Sequence, residues 1–161
     1  MQLSKGVEWA VHSCTMMAVL PEGRGLSADA LAQFFDVPSA YLAKQLQALR
    51  RADIVQSVRG QGGGYRLARG VDAISLWDIV AAIEGSAPAF RCTEIRQNGP
   101  CGLAKKDCKR PCEINSAFQE AEAAWRDVLK SRSLADINAE VAGNADPQHL
   151  LDLAQWTLSN A

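Results

Sequence analysis

Apolar positions along the chain fall into blocks of different period, and each block predicts an element. In "GVEWAVHSC" (6–14), Val7, Ala10 and Val11 share one side of a helical turn. The pattern predicts a helix from about Ser4 to Leu20, ended by the Pro and Gly of "PEGRG" (21–25). Ser27 is placed to cap a short helix, "ADALAQFF", with Leu31 and Phe34 or Phe35 facing inward. After "DVP", Ser39 or the residues just before it open "SAYLAKQLQALRRA", in which Leu42, Leu46 and Leu49 keep helical spacing. That leaves Ser39, Tyr41, Lys44, Gln45 and Gln47 to face outward to varying degrees. The period then becomes that of strands in "IVQSVR" and "YRLA". "GQGGG" between them is a hairpin tip, where glycine tolerates positive φ.

Ser75, with Asp78 three residues on, opens a helix striped by Leu76, Ile79, Val80 and Ile83 and stopped by Gly85. From Ser86 to Pro111 no period is found, and a loop of that length inside a small domain is usually functional. A long helix follows, about Cys112 to Lys130, with Ile114, Phe118, Ala121, Trp125 and Val128 along one side. "SLADINAEVA" and "DPQHLLDLAQWTLSN" close the chain, the latter with Asp146 as N-cap and Pro147 at the first helical position. The order helix, turn, helix, two-stranded ribbon predicts a mainly α protein built on a winged helix–turn–helix. Three stretches are expected: 1–85 for the winged domain with its N-terminal helix, 86–111 for the loop, and 112–161 for the remaining helices.

Composition changes this picture in two places. The 161 residues, 48% apolar and 22% charged, can bury a core without staples, and the net charge of −1 announces no polyanion partner. Yet residues 39–69 carry Lys44, Arg50, Arg51, Arg59, Arg66 and Arg69 against Asp53 alone, a local charge of +5. Such a basic stretch on a helix–turn–helix points to double-stranded DNA. The early residues of the second helix, Ser39, Tyr41, Lys44 and Gln45, are placed to meet base edges; Lys suits guanine and Gln suits adenine. Arg50 and Arg51 suit phosphates. On the wing, Arg59, Gln61 and Arg66 suit a narrow minor groove. A single such domain makes few contacts, so a homodimer reading paired half-sites is expected. A solvated basic surface is the plain alternative.

The second place is cysteine usage. The start of the chain lacks the run of a signal peptide, and no stretch is long and apolar enough to span a bilayer. A cytoplasmic protein with no membrane partner, and reduced thiols, is expected. Cys14 lies in the first helix, whereas Cys92, Cys101, Cys108 and Cys112 crowd one segment. Such crowding reads as metal-binding or redox-active. Spacings of eight, six and three intervening residues lack the close pair of zinc ribbons and suit an iron–sulfur cluster better. Cys108 and Cys112 straddle the start of the long helix, among Lys105, Lys106, Lys109 and Arg110, and both features favour thiolate. Glu8 and His12, four apart on the first helix, read by spacing alone as a surface pair, or His12 as a core histidine. No nucleophile–base pair stands out, so a non-enzyme is expected.

"VPSAYLAKQLQALRRADIVQSVRGQGGGYRLAR" is similar to the winged-helix segment of the Rrf2 family of bacterial transcription regulators. The similarity extends over residues 1 to about 135. In that family a cysteine loop follows the wing-side helix and precedes a long dimerisation helix. "GVEWAVH", "YLAKQLQAL", "FRCTEIRQNGP" and "EAAWR" resemble most a subgroup of 2Fe–2S redox regulators. The resemblance implies a cluster across the dimer interface, with two cysteines from one chain and a Glu and a His from the first helix of the other. By position these are Glu8 and His12, with Cys108 and Cys112 preferred, Cys92 next, and Cys101 extra to the subgroup's pattern. A site of three or four thiolates, or a 4Fe–4S cluster, stays open. The family's iron–sulfur assembly regulators place a His three residues after the last cysteine; here that residue is Asn115, which disfavours their type of site.

The expected function is a redox-sensing regulator, such as a repressor, whose cluster state sets its operator affinity. Trp9, beside Glu8, is a candidate redox relay, or else a core or interface tryptophan. The alternatives are an iron–sulfur electron carrier, or a DNA-binding repressor with zinc or no metal.

Overall fold

A computed structural model describes residues 2–60 and 62–161. Its helices are α1 (Lys5–Met17), α2 (Ala28–Phe35), α3 (Ser39–Arg51), α4 (Leu76–Glu84), α5 (Glu113–Lys130), α6 (Leu134–Asn144) and α7 (Pro147–Asn160). Two strands, β1 (Val55–Val58) and β2 (Gly64–Leu67), lie between α3 and α4. The fold is mainly helical, with a winged helix–turn–helix formed by α2, α3 and the hairpin.

Helix α1 stops three residues short of the expected Leu20. Its last amides turn to partners three residues back, Val19 to Met16 and Leu20 to Met17, as Pro21 approaches. The Ser27 hydroxyl accepts the Ala30 N–H (3.0 Å) to start α2, which ends at Asp36 in the left-handed region (φ 50°). Leu42, Leu46 and Leu49 of α3 are wholly buried beside Leu26, Leu31, Ile54, Ile74 and Ile79. At about 1.5–3 kcal/mol per buried aliphatic side chain, this cluster dominates the stability of the domain.

The strands pair antiparallel, with Val55 opposite Leu67 and Val58 opposite Gly64. Leu26 adds a third, one-residue rung, exchanging both backbone bonds with Tyr65 (2.9 and 2.7 Å). That rung is why Gly64 must be glycine. Its φ is +144°, and a Cβ there would overlap the Leu26 carbonyl. Gly64→Ala is expected to cost about 2–4 kcal/mol of folding stability, from backbone strain plus overpacking, read as a lower urea midpoint.

The capping box of Ser75 and Asp78 forms as expected, and a second box, Ser133 with Asp136, starts α6. The Ser133 amide holds the Asp136 carboxyl below the usual carboxylate range. The two boxes sit side by side: Leu76 N–H reaches the Arg132 carbonyl and Leu134 N–H reaches the Ile74 carbonyl, each at 2.8 Å. Leu134 is thereby buried in the winged-helix core. Leu153 and Trp156 of α7 pack against the same core. So α6 and α7 fold back, while α5 packs on α4, with Trp125 edge-on to Trp77 at 5.8 Å, and has no buried residue.

Candidate DNA-reading surface and cysteine centre

Helix α3 presents Tyr41, Lys44, Arg50 and Arg51 to solvent. Two of its expected base readers are engaged elsewhere. The Ser39 hydroxyl donates to the Asp29 carboxylate of α2, which pins the turn between the two helices. Gln45 is half-buried against α1, where a Cβ on Gly6 would lie 2.9 Å from its Cδ. Gln47 instead shares a shallow recess with Arg50 and Arg51. Arg59 is exposed at the wing tip, and Arg66 is half-buried on β2 opposite Gln56. Gln61 lies outside the described residues. Arg69 leans toward Asp78 at 3.8 Å, which offsets part of the local positive charge.

Glu8 and His12 are exposed on α1 and line, with Trp9, Phe35 and Val37, a recess of about 220 Å³. The imidazole sits 5.9 Å from the Phe35 ring, so this face of α1 abuts the last turn of α2. At the other end of α1, the Ser4 amide and hydroxyl both donate to the Glu84 carboxylate (3.0 and 2.5 Å). Glu84 is the last residue of α4, immediately before the cysteine loop.

The loop is fastened to α5 at its root. The Ala89 N–H donates to Glu122 (3.0 Å), and Arg126 donates to the Ser86 carbonyl (2.9 Å) while lying 4.7 Å over the Trp77 ring. Phe90 stacks on Phe118 at 4.5 Å. Cys112 is the N-cap of α5 and Cys108 ends a 3₁₀ turn, Lys105–Asp107, so both precede the first residue of the helix, Glu113, rather than straddling its start. The Cys92 sulfur accepts the Glu94 N–H (3.4 Å), and Cys101 is exposed.

Sequence reasoning noted the lysines of this loop and missed Arg96. Its Nε donates to Glu94 (2.7 Å) and its Nη2 to the Arg110 carbonyl (2.6 Å), midway along the chain between Cys108 and Cys112. The hydrogen bond to Glu94 holds the guanidinium above its ordinary pKa, and the nearby Cys108 and Cys112 add to the effect. A lone Arg in an aperiodic loop carries no sequence signal of such a role.

Within one chain these donors do not converge. Among the described residues no group of three or more His, Cys, Asp or Glu is placed to hold a metal ion. Cys14 is a different kind of thiol: burial among apolar neighbours pushes it up to about 12. Metal-free native protein is expected to titrate four thiols with an aromatic disulfide reagent at neutral pH. The fifth, Cys14, should follow only on denaturation, since the thiol rather than the thiolate is present and shielded.

The sequence matches the Rrf2 family, described as iron-dependent transcriptional regulators, over residues 3–140. This chain belongs to the Rrf2 family. YffB of Lactococcus lactis, assigned as an HTH-type transcriptional regulator, is 34% identical over 147 residues, 89% of this chain and 91% of that protein. Rv1287 of Mycobacterium tuberculosis, assigned likewise, is 32% identical over 155 residues, 96% and 89% of the two chains. IscR of T. potens superposes with a TM-score of 0.66 at 25% identity, covering 93% of this chain and 96% of its own. CymR, the global cysteine regulator of B. subtilis, shares the fold with a TM-score of 0.68 at 23% identity, over 87% and 98% of the chains. This Rrf2 protein is a DNA-binding transcriptional regulator, and its named relatives are regulators rather than enzymes. Among the described residues no helix is long and apolar enough to cross a membrane.

Proposed function

We propose that this Rrf2 regulator is a cytoplasmic homodimer that holds a 2Fe–2S cluster between its chains and that the state of the cluster sets its operator affinity. The observation carrying this reading is the mismatch between donors and geometry. Carboxylate, imidazole and thiol donors suited to iron lie exposed or half-exposed on two separate parts of one chain, and among the described residues neither part by itself places three such donors to hold a metal. A second copy supplies what each part lacks. The apolar stripe of α5, with Ile114, Phe118 and Val128 exposed, supplies a surface on which the copy can dock.

Glu8 and His12 of one chain and Cys108 and Cys112 of its mate would hold the cluster, with Cys92 and Cys101 as the next candidates. Support comes from the family's iron dependence and from the likeness of "GVEWAVH" and "FRCTEIRQNGP" to the redox regulator RsrR. A bound cluster supplies reversible one-electron chemistry, at a potential that neutral His ligation raises. The chain's own part is to hold the donors and pass their displacement on. His12 faces Phe35 at the end of α2, so a change in imidazole position would act on the helix–turn–helix directly. Trp9 lines the same recess and is placed to repack with it.

Protein purified without oxygen tests the reading by absorbance, iron and sulfide content, and gel shift of oxidised and reduced samples. We expect a red-brown protein whose two redox states differ in operator affinity by about a hundredfold, some 3 kcal/mol. Colourless protein that still binds DNA would leave the reading as a zinc-bound or metal-free repressor.

A further inference from the structure

The wing is too small to fix its own direction. It consists of two four-residue strands, and an isolated hairpin of that size is marginal in water. Its orientation relative to α3 has to come from what it leans on. One support is the Leu26 rung. Another is the packing of β1 against α3 and of β2 against α1, and a third is the C-terminal helix, all of which lies beyond residues 3–140, the stretch matched to the family.

The last turns of α7 touch the DNA-reading unit at two neighbouring points. At one, the Trp156 ring lies 4.5 Å from Phe34 of α2, and Phe34 meets Phe35 edge-on at 5.0 Å. At the other, the Arg24 guanidinium donates to the carbonyl of Ala161, a residue only 7% exposed. Arg24 lies against the wing turn. A Cβ on Gly62 would stand 3.2 Å from Arg24 Nε and 3.6 Å from the Ala161 oxygen, and Gly25 N–H binds the Gly62 carbonyl at 3.1 Å. Between the two contacts Thr157 is wholly buried, its hydroxyl bonded to the Leu153 carbonyl (2.8 Å). The contacts join the first helix of the helix–turn–helix to the turn of the wing through the last turns of α7.

We infer that α7 is a strut that holds the wing at a set angle to the recognition helix, with Trp156 and Arg24 as its two positioning contacts. Neither residue needs to touch DNA for this role. The wing arginine, Arg59, reaches its groove only while both contacts of the strut are seated.

The test uses the full chain and a duplex selected by the wild-type protein from a random-sequence pool. Trp156→Ala and Arg24→Met are each expected to weaken binding about tenfold. The double variant is expected to be no weaker than the worse single one, since both cut the same support. Hydroxyl-radical footprints should lose the protection given by the wing and keep that given by α3. Arg24→Lys separates charge from geometry: it should stay weak if Arg24 positions the wing, and recover if Arg24 is a phosphate contact. Should Trp156→Ala prove unfolded by circular dichroism, the footprint of Arg24→Met decides alone. Unchanged wing protection in Arg24→Met, recovery by Arg24→Lys, or additive losses in a folded double variant would overturn the inference.

Discussion

With Ile114 and Phe118 both replaced by Asp, the chain is expected to sediment as a monomer and to lose a hundredfold or more in affinity for a two-half-site operator. Helix α5 is eighteen residues long and buries none of them. Ile114, Phe118 and Val128 are 62%, 51% and 62% exposed, and all lie on one side of the helix. A hollow of about 550 Å³ beside them is lined by Phe90, Phe118, Ala121 and Trp125. A helix with an apolar side and no core of its own calls for a partner, and a second α5 is the simplest one. Two carboxylates on that side would be desolvated without pairing in a dimer. Separated domains then bind half-sites independently, and the loss of linkage accounts for about two to four orders of magnitude. Sedimentation velocity at micromolar concentration with a parallel gel shift checks both parts. A dimer surviving the double substitution would place the interface elsewhere.

The second large effect concerns the proposed site between two chains. A chain with Glu8→Ala and His12→Ala, and another with Cys108→Ser and Cys112→Ser, are each expected to be colourless when prepared alone without oxygen. Refolded or co-expressed as a mixed dimer, they should regain one cluster per dimer. In the mixed dimer one site loses every donor, while the other joins an intact Glu8–His12 pair to an intact cysteine pair. Donors drawn from a single chain would predict no recovery at all. Iron and sulfide per affinity-tagged mixed dimer read the outcome directly. Repeating the experiment with Cys92→Ser and Cys101→Ser, singly, assigns the sulfur donors.

The periodic part of the molecule was legible in the sequence for a physical reason. Leu42, Leu46 and Leu49, or Ser75 with Asp78, act within a turn or two of their own backbone, so spacing alone locates them. The Gly-rich tip was also legible, although the need at Gly64 comes from Leu26, nearly forty residues earlier, and no local rule shows it. What spacing could not show is which polar residues face another element. Ser39 and Gln45 sit at positions that solvent or protein can occupy, and only the packing of α2 and α1 decides that they turn to Asp29 and Gly6. The same holds for Arg96, Glu122 and Arg126. Each is an ordinary surface residue by pattern, and each binds a backbone carbonyl or amide far away in sequence. The return of α6 and α7 to the core rests on Leu134, Trp156 and Ala161, whose partners lie more than fifty residues away.

Glu84 has a consequence for a two-chain assembly. Its carboxylate holds the start of α1 at the point where the cysteine loop leaves α4. Within each chain the helix that bears Glu8 and His12 is therefore tied to the root of the loop that bears the cysteines, although in the proposed dimer the two would serve opposite interfaces. If the proposed dimer forms, loading one site would pull on the tie that serves its twin, and the pair of sites is expected to fill with unequal affinities, as two weights on a single beam.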